Sequence, residues 1–156
     1  MIGMSYTEMR HICDGFLQRI LGDFDLVAVV RGGLTPAHYI GRRLGKEILF
    51  FHPATCVLTS SSGMVNLDHQ HRPFVLVEDV ISLGRTLDVV RQAFNGRSWH
   101  FFALVCDAGS CSQLSANVTA GIICNEWVCF PWEDPAKILE GEREMFRSGQ
   151  NEYANR

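Results

Sequence analysis

Residues 75–87, VLVEDVISLGRTL, combine an apolar run, two adjacent carboxylates and a turn that contains glycine. The apolar run predicts a buried parallel strand, which Glu78 and Asp79 end. A turn with Gly84 follows, and Thr86 begins a predicted helix. Backbone N–H groups at such a helix start bind phosphate, while carboxylates at a strand end hold sugar hydroxyls or a metal ion. The alternative interpretation is an ordinary buried strand with an acidic turn.

A second segment has a similar arrangement earlier in the chain. The apolar run 26–30 predicts a buried strand, and Arg31, Gly32 and Gly33 follow it directly. An arginine and two glycines after a strand let the backbone approach an anion closely. The same residues would also make a plain strand-to-helix turn.

The two segments resemble those of the type I phosphoribosyltransferases in sequence and in order. The resemblance implies that Glu78 and Asp79 contact the ribose 2′- and 3′-hydroxyls of phosphoribosyl pyrophosphate. It also implies that Arg31 and Gly32 contact the pyrophosphate, in a loop that often contains a cis peptide. The 5′-phosphate loop then comprises Ser82, Leu83, Gly84, Arg85 and Thr86.

A third segment, WVCFPWE at residues 127–133, is similar to one in the small 6-oxopurine enzymes of the xanthine-guanine kind. By this resemblance Trp127 stacks on the base and Val128 offers its backbone, within a small C-terminal hood at about residues 126–134. Pro131 and Trp132 would be packing residues. The alternative is that both tryptophans are core anchors.

The chain departs from these family patterns in three places. Leu83 stands before the glycine, where the family usually has Thr or Ala. Ser82 occupies the place of an Asp that partners the purine N7, and Cys106 and Asp107 lie where a Lys contacts the 6-oxygen. The segment 78–82 looks more like orotate phosphoribosyltransferases, although those have a longer N-terminal region and lack the tryptophan segment. The base therefore stays open.

Composition and element order predict one α/β domain over residues 1–156, an open, mainly parallel sheet of about five strands flanked by helices. The hydrophobic fraction is 47% and the net charge is −3, so general attraction to nucleic acid is not expected. The six cysteines form no metal-binding spacing, and no apolar run has membrane-spanning length. We expect a cytoplasmic protein without signal peptide or anchor, and a homo-oligomer, either a dimer or a tetramer.

Local patterns predict the boundaries of individual elements. They indicate a first helix over 5–21, a second over 36–44 with Thr35 as N-cap, and extended chain over 48–58. Strands are predicted at 100–106 and 118–124, and a final helix at 134–148. The polar segment 59–72 is predicted to be a lid, with Ser60 and Ser61 touching the substrate, and the alternative is a flexible surface loop.

The expected activity is Mg²⁺-dependent transfer of ribose 5-phosphate to a heterocyclic nitrogen, with a 6-oxopurine favoured as the base. Glu78, Asp79 and Arg31 are the expected catalytic residues, Asp79 the metal ligand, and Ser82 a base contact beside Trp127 and Val128. An orotate-like or pyridine base, or a non-catalytic sensor of phosphoribosyl pyrophosphate, remains an alternative. A Rossmann dinucleotide enzyme is disfavoured because the chain lacks G-x-G-x-x-G after its first strand.

Overall fold

The computed structural model describes residues 1–67 and 70–136. Its elements, in chain order, are β1 (Ile2–Gly3), α1 (Tyr6–Leu17), β2 (Asp25–Val29), α2 (Leu34–Leu44), β3 (Ile48–His52), β4 (Val57–Ser60), β5 (Gly63–Met64), β6 (Phe74–Ile81), α3 (Arg85–Ala93), β7 (Trp99–Asp107), a 3-10 helix (Ala108–Gln113), β8 (Val118–Cys124) and β9 (Val128–Cys129).

The main sheet has seven strands in the order β5-β4-β3-β2-β6-β7-β8. The five strands from β3 to β8 in this order are mutually parallel, and β4 and β5 extend the β3 edge as an antiparallel hairpin. The prediction of an open, mainly parallel α/β sheet is therefore confirmed. The count exceeds five because part of the Ser-rich segment, assigned to a loop, forms the β4–β5 hairpin.

The core lies on both faces of the sheet because alternate residues of each strand point to opposite sides. Leu26 and Ala28 of β2 pack with α1 and α2, in a cluster that includes Phe16 and Ile40. Val27 and Val29 face the other way, toward a cluster that includes residues of α3. The central strands are thus buried on both faces, as their continuous apolar runs predicted.

Several predicted element ends agree with the structure, but α1 ends at Leu17, four residues before its predicted end. Ser5 caps α1 in a capping box with Glu8, and Gly45 ends α2 in the left-handed conformation. The N-cap of α2 is Gly33 and not Thr35, because the chain turns directly after β2 and the Gly33 N–H bonds to the Val29 carbonyl. A Cβ at Gly33 would overlap the Val77 carbonyl oxygen, so only glycine fits this turn.

The C-terminal hood is joined to the chain's first residues. β9 pairs in parallel with β1, through Ile2 with Val128 and Gly3 with Cys129. Trp132 stacks on Phe130, with ring centroids 5.0 Å apart, and packs against the core. Most of the predicted final helix lies outside the described residues. Within the described part, no helix is long and apolar enough to span a membrane.

Candidate active site

The candidate site lies where the direction of strand order changes, between β2 and β6. From β2 the chain proceeds to β3 on one side, whereas β6 lies on the other side and is followed outward by β7 and β8. Ala28 of β2 pairs with Val77 of β6, so β2 ends beside Glu78. Ligands of open α/β sheets bind at such a switch point, beyond the carboxyl ends of the strands.

The loop after β2 and the acidic pair are in direct contact. A Cβ at Gly32 would overlap the Asp79 carboxylate, so the glycine backbone itself packs against that side chain. The Val30–Arg31 peptide is cis. Arg31 is exposed, and although its carbonyl oxygen accepts from the Leu34 N–H, its side chain makes no hydrogen bond or ion pair with the other described residues. Its guanidinium is therefore available to an anionic ligand at this edge.

The acidic pair lies within β6 and does not end it, contrary to the sequence-based prediction. The strand continues to Ile81 because its far side stays paired with β7 as far as Cys106. On the near side β2 has already ended, so Glu78 and Asp79 occupy the opening between β2 and the hood.

Burial and mutual repulsion make this pair costly to ionise. Desolvation, followed by the charge of Asp79, raises the pKa of Glu78 to about 9. Desolvation also raises the pKa of Asp79, with the charge of Glu133 adding to the shift. The Asp79 backbone N–H donates to Glu78 Oε1 at 3.1 Å. No described Lys or Arg forms an ion pair with either carboxylate. A bound cation or the hydroxyl groups of a ligand would therefore stabilise the ionised form of the pair.

The predicted 5′-phosphate loop, residues 82–86, surrounds a cavity of about 290 Å³ in front of α3. Gly84 is the N-cap of α3, with φ of 74°, a left-handed conformation that favours glycine. The helix begins at Arg85, one residue before the predicted start, and no side chain caps it. Its first N–H groups are therefore available to an anion. The cavity lining includes both acids and every residue of the predicted loop, from Ser82 to Thr86.

The 3-10 helix after β7 supports this loop, a role that sequence analysis did not predict. The Ser110 hydroxyl donates to the Ser82 carbonyl oxygen. The side chain of Gln113 lies against Gly84, and its Oε1 accepts from Arg91 Nη1 at 2.8 Å. These contacts join two segments almost thirty residues apart, so no local sequence signal identifies them.

A second, smaller cavity of about 80 Å³ lies between the acidic pair and the hood. Its lining includes Asp79 together with all three predicted base contacts, Ser82, Trp127 and Val128. Trp127 is 41% exposed at the hood, whereas Val128 is buried. The fold therefore brings the three residues to one place beside the acidic pair, although they come from two distant parts of the chain.

Sequence analysis missed three acidic residues around this smaller cavity. Asp107, Glu126 and Glu133 line it. Glu133 Oε2 accepts from the Phe130 backbone N–H at 2.8 Å, which holds that carboxylate inside the hood. Glu133 ends the tryptophan segment WVCFPWE, and this position was the only sequence signal that pointed to it. Asp107 was recognised only as a departure from the family's lysine.

The structure contradicts the prediction that Ser60 and Ser61 touch the substrate. β4 runs antiparallel to β3, with Thr59 opposite Phe50, so the hairpin tip points to the amino end of the sheet. There the Ser61 hydroxyl donates to Glu47 Oε1 at 2.9 Å. The tip is thus at the opposite edge from Glu78 and Asp79, because the Ser-rich segment pairs with its neighbour as a hairpin.

Comparisons with known proteins agree with these observations, although no family model matches the chain. The xanthine-guanine phosphoribosyltransferase of Chromohalobacter salexigens is 25% identical over 151 residues, covering 92% of this chain and 88% of the relative. The crystal structure of a purine phosphoribosyltransferase from Pyrococcus horikoshii has a TM-score of 0.64 at 19% identity, covering 85% and 93% of the two chains. The xanthine-guanine-hypoxanthine phosphoribosyltransferase of Helicobacter pylori gives 0.58 at 18% identity, covering 90% and 98%.

The likeness to curated relatives spans nearly the whole chain, and the solved structures share its fold. The chain is therefore similar to the xanthine-guanine phosphoribosyltransferases over most of its length, and it has the fold of the type I phosphoribosyltransferases.

Proposed function

We propose that this protein transfers ribose 5-phosphate from phosphoribosyl pyrophosphate to a ring nitrogen of a purine, with a 6-oxopurine favoured, and releases pyrophosphate. The observation that carries the proposal is the convergence of Arg31, the acidic pair and the loop before α3 at one switch point, next to a cavity walled by Trp127. The curated relatives, named for xanthine and guanine, support a purine as the acceptor.

The two cavities divide the substrates between them in this proposal. The 5′-phosphate accepts hydrogen bonds from the first N–H groups of α3, and the ribose hydroxyls lie against Glu78 and Asp79. The base stacks on Trp127 in the smaller cavity, an interaction worth about 1–3 kcal/mol. Because both cavities include Asp79 in their lining, the anomeric carbon would lie near the point where they meet.

The acidic pair fits a magnesium ion as well as sugar hydroxyls. Mg²⁺ prefers oxygen ligands, and is commonly held by one or two carboxylates together with substrate oxygens. Asp79 is the proposed ligand, because its carboxylate is uncompensated and lies against the loop after β2. When bound, the ion would neutralise charge on the pyrophosphate and so make it a better leaving group.

The protein's own residues then act by positioning and by electrostatic stabilisation. As the bond to pyrophosphate lengthens, positive charge develops on the ribose ring and negative charge on the leaving group. Arg31 and the backbone N–H groups around Gly32 would stabilise the leaving group, while the acidic pair, which a bound cation and the positive charge on the ring would help to ionise, faces the ring. Ser82 offers a hydroxyl near the base but cannot take up a proton as a carboxylate can.

The decisive experiment measures pyrophosphate release from phosphoribosyl pyrophosphate and Mg²⁺ with a panel of purine, pyrimidine and pyridine bases. We expect release with at least one 6-oxopurine. Asp79→Asn should reduce turnover at least about 100-fold and weaken binding of phosphoribosyl pyrophosphate, because it removes a charge that acts in the transition state. Asp23→Asn is the matched control, since Asp23 lies before β2 at the opposite edge and pairs with Lys46.

Two outcomes would contradict the proposal. Binding of phosphoribosyl pyrophosphate without release of pyrophosphate for any base would favour the non-catalytic sensor. Normal kinetics in the Asp79→Asn variant would show that the acidic pair is not part of the active site.

A further inference from the structure

The base cavity is acidic, and this charge bears on which base it accepts. Four of its lining residues are carboxylates, namely Asp79, Asp107, Glu126 and Glu133. No Lys, Arg or His is among the described residues that line it. The remaining lining is apolar or neutral, and it includes the Ser82 side chain and the Trp127 indole.

Apart from Asp79, each carboxylate that lines the cavity accepts one hydrogen bond from another residue. Asp107 Oδ1 accepts from the Gly109 N–H at 2.7 Å, and Glu133 Oε2 from the Phe130 N–H at 2.8 Å. Glu126 Oε2 accepts from the amino group of Met1 at 3.1 Å. The second oxygen of each carboxylate has no hydrogen bond to any described residue, so each is a free acceptor.

These acids surround a cavity and do not form a metal cluster. In residues 1–67 and 70–136, no group of three or more His, Cys, Asp or Glu side chains converges closely enough to hold a metal ion. The cavity has one aromatic wall, and its apolar residues include Val105 and Phe130. A flat ring with hydrogen-bond donors at its edge matches this combination better than a small hydrated ion does.

The positive side chains of the site lie at its other end. Arg85 lines the phosphate-loop cavity, and Arg31 follows β2 and precedes Gly32, whose backbone packs against Asp79. The site is therefore polarised, with cationic side chains where phosphates would bind and, where the base would bind, carboxylates of which, within the described chain, Glu126 alone is paired with a positive group, the ammonium of Met1. A base that carries negative charge, or that presents only carbonyl oxygens to the acids, would be repelled there.

We propose that Asp107, Glu126 and Glu133 make this cavity selective for a purine that presents an exocyclic amine and ring N–H donors, and that they disfavour bases rich in carbonyl or carboxylate groups. Guanine is accepted and xanthine is disfavoured, because at C2 guanine has an amine with two donor hydrogens and xanthine has a carbonyl oxygen, which the N3–H of xanthine only partly offsets. Orotate, which carries a carboxylate, is excluded for the same reason. The inference rests on the proposed function and narrows its substrate class.

The size of the preference follows from the cost of mismatched polar groups. A donor that bonds to a charged acceptor contributes enough binding energy for a preference of about tenfold or more. Replacing that donor by a carbonyl oxygen leaves the carboxylate unpaired and places two acceptors together. We therefore expect kcat/KM for guanine to exceed that for xanthine at least about tenfold.

The test compares the guanine-to-xanthine ratio of kcat/KM in the parent and in Asp107→Asn and Glu126→Gln variants. Each variant removes a charge while keeping the side chain's shape and its acceptor oxygen. We expect the ratio to fall several-fold in at least one of them, chiefly through improved use of xanthine. Glu47→Gln is the matched control, because Glu47 is exposed at the opposite edge beside Ser61, and its ratio should equal that of the parent.

Product binding separates this inference from the proposed function. Calorimetric titration with guanosine and xanthosine 5′-monophosphates reports on the base cavity without any turnover. The inference is supported if the parent binds guanosine monophosphate more tightly than xanthosine monophosphate and if this difference in affinity is smaller in the variants. That result would support it even if pyrophosphate is never released. Equal or better use of xanthine, together with equal binding of the two nucleotides, would overturn it while leaving the phosphoribosyltransferase activity intact.

Discussion

Glu78 illustrates how the fold changes the chemistry of one residue. In a flexible chain its carboxyl ionises near its ordinary pKa of 4.5, whereas burial and the neighbouring Asp79 raise the pKa to about 9 in the folded protein. Between these two values the unfolded chain has lost the proton and the folded chain retains it. Stability should therefore fall as the pH rises from about 4.5 to about 9.

Glu78→Gln should remove this pH dependence. The amide cannot ionise, so the variant should gain stability over the parent at pH 8 and little at pH 5. Each pKa unit corresponds to about 1.4 kcal/mol, which makes the gain at pH 8 on the order of a few kcal/mol. Denaturant unfolding at the two pH values measures it, and an equal change at both would show that the Glu78 carboxyl is not protonated in the folded state. Turnover should fall, because the neutral amide cannot replace the carboxylate.

Trp127 and Trp132 belong to the same segment but have different surroundings. Trp127 is 41% exposed and lines the base cavity, whereas Trp132 stacks on Phe130 and lies 6.5 Å from the ring of Tyr6. Trp127→Ala should weaken base binding about 10-fold or more and leave affinity for phosphoribosyl pyrophosphate almost unchanged.

Trp132→Ala is the companion variant to Trp127→Ala. It should lower the melting temperature through loss of packing, with base affinity less affected. Calorimetry with each ligand, together with thermal unfolding, separates the two roles. If Trp127→Ala weakens binding of the base and of phosphoribosyl pyrophosphate equally, the role of Trp127 is structural and not base binding.

At the scale of elements, the 3-10 helix links the end of β7 to the phosphate loop. Ser110→Ala removes the hydroxyl that bonds to the Ser82 carbonyl and should let the loop move. We expect KM for phosphoribosyl pyrophosphate to rise several-fold, with faster hydrogen exchange at residues 82–86 and with global stability little changed. Ser112→Ala is the control, because Ser112 is exposed in the same helix. Unchanged exchange in the Ser110 variant would mean that the contact does not hold the loop.

The predictable parts of the fold are those with a strong local signal. Buried parallel strands have continuous apolar runs, so β8 was predicted at its observed bounds and β2 within one residue at each end. The capping box of α1 is likewise local, since Ser5 and Glu8 are three residues apart. The motifs also placed Glu78 and Asp79 on the strand where they lie and Gly84 in the turn before α3.

The missed parts depend on contacts between distant residues. β1 and β9 are two residues long and stabilise each other across the whole chain, so neither has a pattern of its own. The Ser-rich segment was interpreted as a lid, because polarity alone does not reveal its pairing with β4. The acids around the base cavity come from three separate segments, and only the folded hood brings Glu126 and Glu133 near Asp107.

At the scale of the whole molecule, the two edges of the sheet have different roles. The carboxyl edge holds the candidate site, with its uncompensated acids and exposed arginines. The amino edge holds a network of ion pairs in which Arg72 contacts Asp25 at 2.6 Å and Asp23 at 3.3 Å, while Lys46 contacts Asp23 at 2.8 Å. The charges at this edge neutralise one another, as expected for structure and not for ligand binding.

Arg72→Met should therefore destabilise the protein without altering its chemistry. Asp25 is buried, and its Oδ2 already lacks a hydrogen bond, so loss of Arg72 leaves the carboxylate without its one described ion-pair partner. A buried carboxylate without compensation is costly, and we expect the melting temperature to fall by a few degrees. At 25 °C, kcat and KM should match those of the parent, since Arg72 lies at the edge opposite Glu78.

The double variant Asp25→Asn with Arg72→Met separates the ion pair from any other effect of Arg72. If the cost arises from the unpaired charge, neutralising Asp25 should recover part of the lost stability, giving a non-additive double-mutant cycle. Additive losses would place the effect of Arg72 elsewhere, for example in its contact with Asp23. The division of the sheet into a structural and a functional edge requires that residues of the amino edge do not affect catalysis. A change in KM for phosphoribosyl pyrophosphate in the Arg72→Met variant would therefore contradict it.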